Sequence, residues 1–532
     1  MKAFRRLWWY FKSAISRYYR RFLPVMLILA GLVMISPFVR STLSPLYHEF
    51  ISPVQKAVLT EGLVGSVKTL NPILATTDSE RDIDQLVFRG LTKTDSRGDP
   101  VGDLARDFNV QNNKEYTFRL QDNVFWHDGE KFTADDVLYT VKIAQNSSFH
   151  SPFYETLKDA AVTKLSDFEV RFTLKEEFAP FLSLTNFGII PEHIPLNKYK
   201  PVGTGRFSIV ESKDDYVLLK GESFNLLFRY YATRDLALTA LKLGEIQSLG
   251  GLSSSEAAEV NNWDNLKIYS QNLAQRYVGL FINGRNDKLQ DKAVRQALQM
   301  STPKADIIAF TTENKAQEAT SSVPLNSWVP ILSNTRYRYN PEEAKNLLER
   351  AGWKMGEGSY RTNEGRELAV TITTLDNRTY LEALEMLKES WGQIGIRVEK
   401  HTVSSNQLRD TVLPNHQFEI LLNSQEIPAD PDQYNLWHST QIGVSNIVSL
   451  DSPKIDKVLE DGRQSLERDT RISRYQDFQR FLSDEAPVIF LYYPDYYYVV
   501  SNRVTGVDLQ TLGLPKDRFR SVDKWVIGKK FF

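Results

Sequence analysis

Residues 115–142 read EYTFRLQDNVFWHDGEKFTADDVLYTVK, which places a strand, a tight turn and a capped helix in one continuous run. Tyr116, Phe118 and Leu120 alternate with Thr117, Arg119 and Gln121, the period-2 pattern of a half-buried strand. Asp128-Gly129 supplies the positive-φ step of a turn, a conformation that glycine adopts without a Cβ penalty. Thr133 stands where an N-cap belongs, and Ala134, Asp135 and Asp136 fill a first turn in which carboxylates meet the positive end of the helix dipole. Val137, Leu138 and Val141 form the apolar stripe. His127-Asp128-Gly129-Glu130 also sets a base beside acids, but turn chemistry accounts for the Asp-Gly pair, and His127 is expected to cap local carbonyls.

The 532 residues exceed one ordinary core and predict two or three domains. With 42% apolar and 25% charged residues the chain is a folded globular one, and 12% aromatics point to ring-lined surfaces. The absence of cysteine excludes disulfides, thiolate nucleophiles, thiolate metal sites and a lipid anchor on cysteine. Residues 1–22 carry seven cations and no acid, and 22–39, FLPVMLILAGLVMISPFV, is an unbroken uncharged run. Eighteen helical residues reach about 27 Å, close to the hydrocarbon thickness of a bilayer. The basic flank predicts an N-terminus held in the cytoplasm, with everything after Arg40 outside. A cleaved signal peptide is the competing reading; the segment SPFVRSTLSPLYHEF lacks a small-x-small cleavage pattern, which favours an uncleaved anchor. Without those seven cations the net charge of −1 becomes −8, which argues against nucleic acid as a partner.

Outward from 115–142, residues 54–92 carry an opening strand, the Leu70-Asn71-Pro72 turn and a helix with Ile83, Leu86 and Val87 on one face. Phe168, Val170, Phe172 and Leu174 alternate as another strand of a small β-rich region. Gly203-Thr204-Gly205 passes into a strand at Phe207; a phosphate cradle would need a third glycine and a following helix. Asn340 caps a helix that Pro341 pre-sets, Glu342 and Glu343 charge correctly, and Gly352 ends. Leu368, Val370 and Ile372, then Leu384, Leu387, Trp391 and Ile394, then Ile396 and Val398 make a βαβ unit. Ile472, Tyr475, Phe478 and Phe481 stripe a late helix, and 487–493, PVIFLYY, reads as a buried strand.

The order of these segments, with Trp126-His127-Asp128-Gly129, RYVGLFIN at 276–283 and DKAVRQAL at 291–298, resembles the family 5 extracellular solute-binding proteins, which deliver peptides and similar solutes to ABC importers. The resemblance covers about residues 54–508, with Arg206 where proline is usual and Gln247 where an acid is usual. It implies an α/β, two-lobe periplasmic-binding-protein type II fold with an extra small β-rich subdomain, preceded by one transmembrane helix. The expected division is a basic cytoplasmic segment 1–21, an anchor 22–43, a stalk 44–53, lobe I from 54–92, 186–270 and 491–532, the inserted subdomain 93–185, and lobe II 271–490.

Binding in a cleft between hinged lobes is what the resemblance implies, with 420–437, ILLNSQEIPADPDQYNLW, lining it. In peptide-binding members an aspartate here pairs with the peptide ammonium and the neighbouring strand bonds the peptide main chain. Aligned on Asp430-Pro431-Asp432, that position falls on Ile427, with Glu426 beside it. Either Glu426 supplies the counter-charge or the ligand has no free amine there. The candidate ligand-binding residues are Asn423, Glu426, Ile427, Asp430, Tyr434 and Trp437, with Asn283 as a polar contact from another strand. Each also has a structural reading: acids around proline cap turns, rings pack in cores, and asparagine satisfies nearby backbone.

No G-x-S-x-G, H-E-x-x-H or P-loop is present, so no enzyme activity is expected. The histidines lack metal-ligand spacing and no cofactor or metal is expected; because some family members bind nickel complexes or haem, His416 and His438 are the candidates for such a contact, against a reading as surface histidines. The reading is a monomeric, single-pass, extracytoplasmic binding protein whose partners are a small peptide or other small solute, ABC permease subunits and the membrane. An oligosaccharide- or opine-type ligand, or a surface sensor signalling through the cleft, are the alternatives.

Overall fold

Two mixed sheets, one in each lobe, organise the chain in the computed structural model, which describes residues 56–95, 98–333, 337–510 and 512–528. The basic segment, the anchor and the stalk read from the sequence lie outside the described residues. Among the described residues no helix is long and apolar enough to cross a membrane.

The seven-stranded sheet runs in the order Leu266–Asn272, Asp495–Ser501, Ser248–Leu252, Val58–Val64, Asn225–Tyr231, Tyr216–Lys220 and Ser208–Ser212. Val58–Val64 pairs in parallel along its whole length with Asn225–Tyr231, while the C-terminal strand Asp495–Ser501 lies antiparallel between Ser248–Leu252 and Leu266–Asn272. The six-stranded sheet runs Gln317–Glu318, Val488–Tyr493, Arg276–Ile282, Ile420–Glu426, Ala369–Leu375 and Arg397–Val403. Its last two strands are parallel and joined by the helix Arg378–Gln393, whose buried Leu384, Leu387 and Trp391 are the stripe read in the sequence.

The chain crosses between the sheets twice, at Leu273–Gln275 and at Pro494, and the two crossings touch, since the Leu273 N–H donates to the Pro494 carbonyl at 2.9 Å. The six-stranded sheet keeps Val488–Tyr493 whole, so the return to the other sheet begins at Asp495 rather than at residue 491, and Leu266–Asn272 carries the first sheet two residues past 270. Both differences have one cause: the strands pass from sheet to sheet through one to three residues, leaving no loop long enough to mark the boundary.

The four-stranded antiparallel sheet Ala105–Gln111, Glu115–Leu120, Glu169–Thr173, Ala161–Ser166 packs against the helix Ala134–Ala144. Thr133 caps that helix in a reciprocal box with Asp136, and Gly129 takes φ +97°. His127 works as a clamp on the glycine turn. Its Nδ1 accepts from the Gly203 N–H at 3.3 Å and its Nε2 donates to the Gly205 carbonyl at 2.9 Å, a pairing that requires the neutral ring, and burial holds its pKa below the ordinary imidazole value. Gly203 and Gly205 have a further reason to be glycine, because a Cβ on either would collide with the last carbonyls of the helix Asp78–Val87.

Candidate functional site

The helix Asp78–Val87 begins with a capping box between Thr77 and Glu80. Glu80 does more than cap: its two carboxylate oxygens accept the N–H groups of Lys68, Thr69, Thr76 and Thr77 at 2.9–3.3 Å. Burial raises its pKa, and these amides outweigh burial and bring it below the ordinary carboxylate value. The N-terminal turn of this helix is thereby tied to the segment 68–77 that precedes it.

Across from it lie the paired ends of two strands of the six-stranded sheet, where Arg276 and Glu426 are register partners. Arg81 Nη1 donates to Glu426 Oε2 at 2.8 Å, Arg276 Nη2 reaches the same oxygen at 3.4 Å, and Arg276 grips both Asp78 oxygens at 3.0 Å. The result is a square of alternating charge. Asp78 and Arg81, one turn apart, come from one lobe, and Arg276 and Glu426 come from the other. Burial raises the pKa of Asp78, but Arg276, with Arg81 behind it, outweighs burial and holds the carboxyl below its ordinary value. Burial likewise disfavours charge on Arg276, and Asp78 with Glu426 more than restores it.

A second seam joins the small subdomain to the second lobe. The Arg463 guanidinium lies 4.8 Å from the Phe178 ring centroid and 3.8 Å from that of Tyr434, and pairs with Asp432 at 2.7 Å. The Ala179 N–H donates to the Arg463 carbonyl at 2.7 Å, and the far face of Tyr434 stacks on His438 at 4.0 Å.

The residues singled out in the sequence divide between these seams and the core. Glu426 sits in the charge square and Tyr434 in the stack of the second seam. Asn423 lies on the same strand as Glu426, half-buried, opposite Gly279. Ile427 is buried in the second lobe's core, with its N–H bonded to the Gln275 carbonyl. Trp437 is buried in the same core and borders a small cavity with Tyr277 and Gln425. Asp430 is buried in a bidentate pair with Arg471, at 2.5 and 3.0 Å, and also accepts the Asp432 N–H. Asp432 combines an Asx-type bond to the Tyr434 N–H with its pair to Arg463.

Asn283 stands at the opposite end of its strand from Arg276, about 23 Å away at ~3.3 Å per residue, where its amide bonds the carbonyls of His416 and Phe418. Its place is a turn, not the cleft. His416 and His438 are buried rather than on the surface; His438 bonds Thr440 and Glu460, and among the described residues no three His, Asp or Glu side chains converge as a metal site would require.

Three residues of the square were not singled out from the sequence: Asp78, Arg81 and Arg276. An acid and a base one helical turn apart is an ordinary surface pattern, and only the fold brings it to Glu426.

One further feature belongs to the site. Ala369–Leu375 pairs with Ile420–Glu426 only from Ile372↔Ile420 to Thr374↔Leu422. Among the described residues no strand continues that pairing, so Asn423–Glu426 have no strand partner on the side beside the charge square, where the Tyr380 hydroxyl bonds Ser424 and the Gln425 amide donates to the Glu426 carbonyl at 2.8 Å.

The family model "Bacterial extracellular solute-binding proteins, family 5 Middle" matches residues 99–444. The oligopeptide-binding protein AppA of Bacillus subtilis is 26% identical over 541 residues, covering 95% of this chain and 98% of that protein. The structure of that AppA in complex with a nonapeptide superposes with a TM-score of 0.77 at 25% identity, covering 90% of this chain and all of the other. NikZ of Campylobacter jejuni, in complex with Ni(L-His), gives 0.78 at 25% identity over 89% of this chain and 100% of that one. With two sheets joined by two short crossings, facing charged edges and a family match over residues 99–444, the chain belongs to the bacterial extracellular solute-binding proteins of family 5.

Proposed function

We propose that this protein captures a small peptide or peptide-like solute between its lobes and hands it to an ABC permease, acting as a monomer held on the outer face of the membrane by the apolar run 22–39. The open edge of Asn423–Glu426 carries the reading. An extended main chain that takes the place of the Tyr380 and Gln425 side chains along it finds hydrogen-bond donors and acceptors at strand spacing, which gives affinity without dictating side chains. The helix Asp78–Val87 then closes from the other lobe, and its charged turn meets Arg276 and Glu426. The nonapeptide complex of AppA, a relative over nearly the whole chain, supports a ligand of this class.

The test compares the mass of the full-length protein, purified in detergent from cells grown on peptide-rich medium, under native and denaturing conditions. A ladder of released species differing by amino-acid residue masses is expected. A single non-peptide mass would replace the peptide reading with a dedicated small-molecule one.

A further inference from the structure

The arginines of the two seams are matched to acids: Arg81 and Arg276 to Glu426 and Asp78, and Arg463 to Asp432. Arg234 is not. It opens the helix Arg234–Lys242, its Nη1 donates to the Gly250 carbonyl at 2.9 Å, and among the described residues it pairs with no carboxylate. The Tyr496 hydroxyl, on a side chain only 5% exposed, likewise has no hydrogen-bond partner among the described residues. From this pair we infer that Arg234 and Tyr496 form a subsite of the first lobe for a carboxylate of the ligand. The inference rests on the peptide reading above and specifies which ligand group the first lobe recognises.

The sheet topology places the pair. Val58–Val64 lies between Asn225–Tyr231 and Ser248–Leu252 and runs parallel to both. The helices that follow the first two of these strands, Asp78–Val87 and Arg234–Lys242, therefore both start beyond carboxyl ends, the edge at which open α/β sheets take their ligands. Tyr496 reaches the same edge on the returning strand, where Tyr497 is the register partner of Leu252. Glycine makes room there. A Cβ on Gly250 would collide with the Tyr496 hydroxyl, and one on Gly251, at φ +74°, would lie 3.5 Å from Arg234 Nη2 and 3.7 Å from the Tyr496 ring, so guanidinium and ring approach each other over two residues without side chains.

The acids whose charge reaches Tyr496 already have cations: Arg276 grips Asp78, and Arg518 holds Glu61 and Asp82. None of them is left to neutralise Arg234, and a guanidinium unpaired in a closing cleft is unfavourable unless an anion from outside meets it. With Nη1 engaged, its Nε and Nη2 hydrogens form the planar fork that matches the two oxygens of a carboxylate. The Tyr496 hydroxyl adds a third donor. A peptide supplies that group either at its carboxyl end or on an acidic side chain.

The experiment offers the full-length protein an equimolar mixture of three peptide pools built on the same sequences: unmodified, amidated at the carboxyl end, and with every acidic side chain replaced by its amide. Mass spectrometry reads the ratios captured. Wild type is expected to disfavour one of the two neutralised pools by about tenfold or more, the size of a hydrogen bond to a charged group. Loss of the amidated pool assigns the subsite to the chain end, and loss of the other assigns it to a side chain. Arg234→Gln removes the discrimination, and Tyr496→Phe, which keeps the ring in place, reduces it. A merely structural role for either residue would weaken capture of all three pools alike and leave the ratios where they were. Equal capture of the three pools by wild type, or unchanged ratios in either variant, overturns the inference while the peptide reading stands. Capture of no pool overturns the peptide reading and the inference with it.

Discussion

At the scale of single residues, the amide of Asn283 is fully used: its nitrogen bonds two carbonyls and its oxygen accepts the Arg285 N–H. Asn283→Ala leaves buried carbonyls without donors and is expected to cost about 1–3 kcal/mol in urea unfolding, with ligand capture unchanged. Asp430→Ala leaves Arg471 buried and uncompensated, and the expected loss is about 3–5 kcal/mol. Both residues look like ligand contacts in the sequence for the same reason, namely that a polar side chain beside a suggestive motif carries no sign of where its partner will come from. Arg471 is 41 residues from Asp430, and His416 is 133 from Asn283. Glu426 is the counter-example. Its place beside Ile427 makes it a candidate counter-charge in the sequence, and the structure sets it at the lobe seam between two arginines that no local pattern announces.

At the scale of elements, capping and periodicity made the local fold legible. Thr133 and Asn340 cap the helices they were read to cap, and the alternating residues of 115–120 form the strand expected of them. These signals are short-range, since the cap and the amide it satisfies lie within three residues of each other. The charge square joins residues 150, 198 and 345 positions apart, and no local pattern in one sequence encodes such pairings. The helix Asp78–Val87 connects the two regimes, and it can be weakened at its start. Thr77→Ala removes one half of the capping box and is expected to cost about 1 kcal/mol in thermal or urea unfolding. The same helix carries a pH dependence. Asp78 has its pKa lowered in the folded protein, so the closing link is fully in place above about pH 4 and is lost as pH falls through the folded value. Small-angle scattering of the unliganded protein is expected to show the radius of gyration rising as the solution is taken from about pH 5 to about pH 3.

At the scale of the whole molecule, the lobes are joined by two short crossings side by side and by two seams of charged side chains. The pairs of the first seam leave 20–41% of each side chain accessible, so salt screens them. Raising ionic strength is therefore expected to shift the unliganded protein toward the open form, which the same scattering measurement reads. The anchor makes a separate prediction: after an alkaline carbonate wash the full-length chain stays with the membrane fraction, whereas a chain beginning at residue 44 is recovered in the supernatant. Recovery of the full-length chain in the supernatant would remove the membrane-spanning reading of 22–39.

The placement of Asp495–Ser501 inside the first sheet has a consequence for biosynthesis. The strands from Arg276 to Tyr493 form one continuous stretch of chain and have every partner of their sheet available once Tyr493 has emerged. The seven-stranded sheet does not: Ser248–Leu252 and Leu266–Asn272 wait with a gap between them until one of the last segments made slides into it. Glu61 and Asp82, both buried, also wait, because the guanidinium that neutralises them belongs to Arg518. The lobe whose first strands are made earliest is thus the last to be completed, and until it is, it displays two unfilled strand edges and two buried carboxylates without a cation. Truncation by even the final ~20 residues, which removes Arg518, should act less like trimming a tail than like withdrawing the keystone from an arch, leaving the second lobe folded and the first a substrate for proteases.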